Sequence, residues 1–167
     1  MFYRRKIILS ILEAFDGNLN KIGLQKLLFL FTQGQNKKAY DFVPYKFGCY
    51  SFSATADLSA MTRKGLILED DKTYTKNNKT NYISLLEPED KKILIELKDR
   101  YIGYSAEKLT KYSYINYPYT AINSTIAYRL LNKEEQQSVE LAKPNSNQTI
   151  LFTIDMRVFR LRSILIV

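Results

Sequence analysis

The chain has no histidine and no tryptophan, one cysteine, four prolines and six scattered glycines. Without histidine it lacks the commonest acid–base group at neutral pH and the commonest zinc ligand. Cys49 therefore has no base of the usual kind to activate it, and a small, partly or fully buried thiol is the simpler reading. A single cysteine excludes an internal disulfide, which suits a reducing, cytoplasmic setting. No glycine cluster forms a phosphate loop. No apolar run reaches the ~20 residues that a membrane helix needs, and Glu13 and Asp16 interrupt the apolar stretch near the N-terminus, unlike a secretion signal. Asp70 and Asp71 read as a solvated turn, not a metal site. No catalytic residue, cofactor, metal or membrane partner is expected.

The 167 residues are 46% hydrophobic, enough for one core and a small added lobe. The formal charge is +8, and it is unevenly spread. Residues 1–65 hold ten Lys or Arg against four acids, residues 66–100 seven against eight, and residues 101–167 eight against five. The basic excess lies mainly in the first part, where it would attract phosphate polymers.

Ile7, Ile8, Ile11, Leu12 and Phe15 recur at helical spacing, with Gly17 as a stop. Asn18 or Asn20 can cap a second helix that runs to about Gln33, with Leu24, Leu27, Leu28 and Phe31 on one face and Phe29 and Leu30 widening it. Pro44 makes residues 40–47 extended, a short edge strand. Ser51 or Ser53 caps a third helix with Ala54, Leu58 and Met61 inside, leaving Asp57 mid-helix to repel phosphate. Leu66–Leu68 and Tyr82–Leu85 then read as two strands around a long polar tip. Pro88 opens a fourth helix with Ile93, Leu94, Leu97 and Tyr101 on one side, and Ser105 caps a fifth that Pro118 ends. Residues 119–131 read as a sixth helix. Residues 132–138 are polar, 143–147 read as a linker and Thr149–Ile154 as a buried strand.

This order predicts a mainly α chain with a small β-hairpin, of α+β class. It comprises a winged helix-turn-helix-like domain over 1–87, a helical extension over 88–142, and a linker with an orphan strand over 143–167. In a winged helix the third helix enters the major groove and the hairpin touches backbone. The expected nucleic-acid contacts are Ser53, Thr55, Ser59, Thr62 and Arg63 on the helix, and Lys72, Lys76 and Lys79 on the hairpin. The alternative is a helix that packs on a protein partner or on its own core. The tyrosines between 101 and 128, interleaved with Lys108 and Lys111, could stack single-stranded bases, but rings packed at a core margin with wet hydroxyls are the plainer account.

Leu24-Gln25-Lys26-Leu27-Leu28-Phe29 followed by Tyr45-Lys46-Phe47-Gly48 resembles the Panacea, or SocA-like, antitoxin domain over residues 1–86, with Cys49 where that family often has proline. The resemblance implies a non-catalytic module that meets a toxin, or another protein, by direct contact, and it lends no catalytic residues. Thr149–Ile154 resembles the first strand of a YeaO-like bacterial family, in which Ile-Gly-Tyr-Glu-Gly follows. Loss of one G from those codons would give Ile154-Asp155-Met156-Arg157-Val158, so a frameshifted remnant of a longer protein is one expectation. The others are a binder of duplex DNA, placed first, and a protein-binding antitoxin or adaptor whose partner is a toxin or a second copy.

Overall fold

The computed structural model describes residues 2–144. Helix α1 (Tyr3–Ala14) leads through a three-residue strand β1 (Asn18–Asn20) into α2 (Lys21–Gln33). The Asn20 side chain accepts from the Gly23 amide, which starts α2 where the sequence places it. Every residue of α2 from Gly23 to Thr32 is buried, so its wide apolar arc reflects a central position. Each fully buried Leu or Phe there contributes about 2 kcal/mol. Around α2 gather α1, the third helix α3 (Phe52–Arg63), and the later helices α4 (Pro88–Tyr101) and α5 (Ala106–Asn116).

The sequence misplaces the strands. The expected edge strand is one half of an antiparallel ribbon, β2 (Val43–Tyr45) with β3 (Gly48–Tyr50), in which Pro44 faces Cys49. After α3, β4 (Ile67–Glu69) pairs not with residues 82–85 but with β5 (Thr73–Lys76), and β1 adds to the far side of β5. Sheet order is β1-β5-β4. Residues 83–85 form a single 3₁₀ turn. The Asp70 carboxylate accepts from the amides of Lys72 and Thr73 at 2.7 and 2.6 Å, closing a short turn, and Thr-Tyr-Thr then alternates with Tyr74 inward.

The sixth helix is broken. Residues 118–121 form a 3₁₀ turn, and only α6 (Ala127–Leu130) is α-helical. Between them the Asn123 amide donates to the Pro44 carbonyl and Thr125 N–H to that of Lys46, competing with the helical ladder. The polar stretch after Leu131 is itself a helix, α7 (Lys133–Leu141), opened by a capping box between Asn132 and Glu135. Tyr114, Ala121, Leu130, Leu131 and Val139 make a second, smaller core. Tyr101 and Tyr114 are buried, Tyr104, Tyr112 and Tyr117 pack against the main core, and Tyr119 and Tyr128 are exposed. The chain is thus mainly helical with small antiparallel sheets, the α+β class expected. Among the described residues no helix is long and apolar enough to cross a membrane. The expected strand over 149–154, and the linker beyond Pro144, lie outside the described residues.

A candidate binding surface on the third helix

Helix α3 is fixed at its N-terminal end. Ser51 caps it by accepting from the Ala54 amide, and the Gln25 side chain bridges to it from α2, accepting from the Ser51 amide and donating to the Thr55 hydroxyl. One turn further on, Asp57 overturns its sequence reading. It points inward, is 2% exposed, and accepts from Arg4 Nε at 2.5 Å, Arg5 Nε at 2.7 Å and the Tyr40 hydroxyl at 3.0 Å. Burial pushes its carboxyl pKa up, but the hydrogen bonds from Arg4, Arg5 and Tyr40 outweigh that and hold it below the ordinary range. It therefore presents no bare charge to an approaching phosphate.

The eight expected contacts separate into groups. Arg63 is exposed and Ser53 and Ser59 half-buried. The Thr55 hydroxyl lies 2.8 Å from that of Tyr50, and the Thr62 hydroxyl bonds to the Leu58 carbonyl at 3.1 Å, so both serve the fold. Lys72 is exposed in the turn beside Asp70 and Asp71, and Lys79 is exposed beyond β5. Lys76 is a correction: it lies in β5 rather than at a tip, its Nζ 3.2 Å from the Glu13 carboxylate and over the Tyr82 ring.

Sequence reasoning missed the neighbouring aromatics. Tyr45, Phe47 and Phe52 are 37%, 47% and 52% exposed. The rings of Tyr45, Tyr50 and Phe52 lie 5.0 to 5.7 Å apart, centroid to centroid, the spacing of mutually attractive aromatic pairs. Four aromatics within residues 45–52, around a Tyr-Lys-Phe-Gly turn, were the available signal. The ribbon that carries Tyr45, Phe47 and Tyr50 is held by bonds from Asn123 and Thr125, beside the second core, and sets them next to Phe52.

Lys26 supports the ribbon from beneath. It is 2% exposed, and its Nζ donates to the Cys49 carbonyl at 2.9 Å. Burial holds this amine below its ordinary 10.5, against a smaller opposing pull from Cys49. Burial likewise pushes the Cys49 thiol up, away from the thiolate that chemistry would need. Between the lowered value of Lys26 and 10.5 the unfolded chain holds a proton that the folded one does not, so stability should rise with pH across that window. The raised Cys49 thiol and buried tyrosines such as Tyr40 and Tyr114 oppose this rise at the alkaline end, so it should be read in urea unfolding as the difference between wild type and Lys26→Met. Parallel curves would mean that Lys26 stays charged in the fold.

A concavity of about 1080 Å³ lies between the start of α1, the end of α2 and α4. Its walls mix Lys37, Lys38, Lys92 and Arg100 with Glu87, Glu89 and Glu96, which favours no ligand charge. Among the described residues no three of Cys, Asp and Glu gather as a metal site. No protein-family model matches the chain, and no curated protein is significantly similar to it.

Proposed function

We propose that the chain is a non-catalytic docking module on a winged-helix framework, and that its partner is another protein. The carrying observation is the cluster of Tyr45, Tyr50 and Phe52 at the start of α3, with Tyr45 and Phe52 facing solvent and Phe47 exposed on the same ribbon. Rigid aromatics lose little conformational freedom on binding and dominate protein interfaces. The order α1-β1-α2-α3-β4-β5, with sheet order β1-β5-β4, supports the winged-helix reading, with the β2–β3 ribbon as an insertion. The resemblance of residues 1–86 to the Panacea domain points to contact with a protein, toxin or otherwise.

Duplex DNA is the second reading, because the internal pairing of Asp57 leaves Arg63, and Lys64 just beyond the helix, as the exposed charges at the end of α3. Against it, the hairpin turn sets Asp70 and Asp71 beside Lys72. A gel shift with mixed-sequence duplex separates the two. On the protein reading, micromolar chain gives no retardation at 150 mM salt, and Arg63→Glu and Lys79→Glu behave as the wild type. Retardation that both variants abolish, and that weakens steeply with salt, would replace the protein reading with the DNA one.

A further inference from the structure

Resting on the protein-docking reading, we infer that the outward face of α3 receives an amphipathic helix of a partner protein, with apolar side chains at one end and Asp or Glu about three turns away. Phe52, Ala56, Ser59 or Ala60, and Arg63 succeed one another at helical spacing along that face. They span about 16 Å at 1.5 Å per residue. At the start, Phe52 is joined by Tyr45 and Tyr50 in an exposed apolar patch. In the middle, Ala56, Ser59 and Ala60 have no bulk to hold a second backbone away. At the end stand Arg63 and Lys64, both exposed.

Charge complementarity selects the occupant. The one acid in α3, Asp57, is buried against Arg4 and Arg5, and the Glu69 carboxylate that reaches Thr62 is already paired with Lys21, so Arg63 and Lys64 leave that end of the face positive. A ridge of small residues between two different ends fits the groove of a facing helix. DNA would instead bring phosphates to both ends of α3, and the aromatic end is built to exclude water rather than to hold charge.

The test is selection of a displayed library of random 16-residue peptides on the wild-type chain, with counter-selection on Phe52→Ser and on Arg63→Glu combined with Lys64→Glu. All these positions are exposed, and thermal melts of the variants check that they fold. The inference expects a consensus with aromatic or aliphatic residues separated from Asp or Glu by about ten positions. Either variant should weaken a selected peptide at least about tenfold in anisotropy titrations, and the charge-reversed variant should bind the peptide better once its Asp and Glu become Lys. Peptides that bind both variants as well as the wild type would leave the docking module standing and remove this face. A chain dimer dispersed by Phe52→Ser would make the occupant a second copy and overturn the inference. No enriched peptide, together with salt-sensitive retardation of the duplex, would overturn the docking reading as well.

Discussion

Asp57→Ala should destabilise the chain by about 4 kcal/mol in urea unfolding, within the range for removing one partner of a buried ion pair. Three groups depend on this carboxylate: Arg4 and Arg5 through Nε, and Tyr40, whose hydroxyl also contacts the Arg4 carbonyl. Arg4 is 44% exposed and can return to water, whereas Arg5 is 13% exposed and Tyr40 2%. The loss therefore falls mainly on Arg5, since the Tyr40 hydroxyl keeps the Arg4 carbonyl as its acceptor. Because the interactions hold the folded-state pKa of Asp57 below its unfolded value, the stability it provides is complete above about pH 4. It is lost as pH falls through the lowered folded value. Asp57→Asn should lack that part of the acid loss. Wild type and Asn variant falling in parallel below pH 4 would show that Asp57 is not the group titrating.

Gly48→Ala should cost about 3 kcal/mol for two separable reasons. Gly48 has φ of +91°, a backbone region that L side chains rarely adopt. An added Cβ would also lie 2.5 Å from Tyr114 Cε1 and 3.2 Å from Lys26 Nζ. Tyr114 cannot easily withdraw, since it is 1% exposed and its hydroxyl meets that of Ser124 at 2.7 Å. A double-mutant cycle with Tyr114→Leu separates the terms. The steric part should vanish in the Leu background, and the φ part, on the order of 1–2 kcal/mol, should persist. A Gly48→Ala variant as stable as the wild type would mean that the ribbon does not pack on Tyr114. Because the ribbon carries Tyr45 and Tyr50, the variant should also weaken any partner bound at the aromatic cluster.

Local chemistry was legible in the sequence where it acts alone. Asn20 and Ser51, each one of two candidates, and Ser105 cap the helices placed there, and Pro88 opens α4, since each needs only its own near neighbours. Structure that depends on distant partners was not legible. Asn18–Asn20 is a strand only because β5 runs beside it, and nothing in Asn-Leu-Asn says so. Asp57 reads as exposed until Arg4 and Arg5, more than fifty residues earlier, fold against it. Thr73–Lys76 was hidden by the Asp, Lys and Asn around it, although its β-branched residues favoured a strand. The capping box at Asn132 and Glu135 was written in the sequence, but the polar composition of residues 132–138 obscured it. Of the candidate surface, helix α3 and the exposure of Arg63 were legible. The aromatic cluster was not, because only the ribbon's return at Gly48 brings Tyr45 beside Tyr50 and Phe52.

The most direct test of the docking account is a two-dimensional amide NMR titration at 150 mM salt, run once with a selected acidic amphipathic peptide and once with a 16-base-pair mixed duplex. The account predicts peptide-induced shifts at Tyr45, Tyr50, Phe52, Ala56 and Arg63, with little change around Lys37 and Arg100 and none of note from the duplex. Peptide shifts centred on the concavity lined by Lys37 and Arg100, or shifts along α3 from the duplex alone, would contradict it.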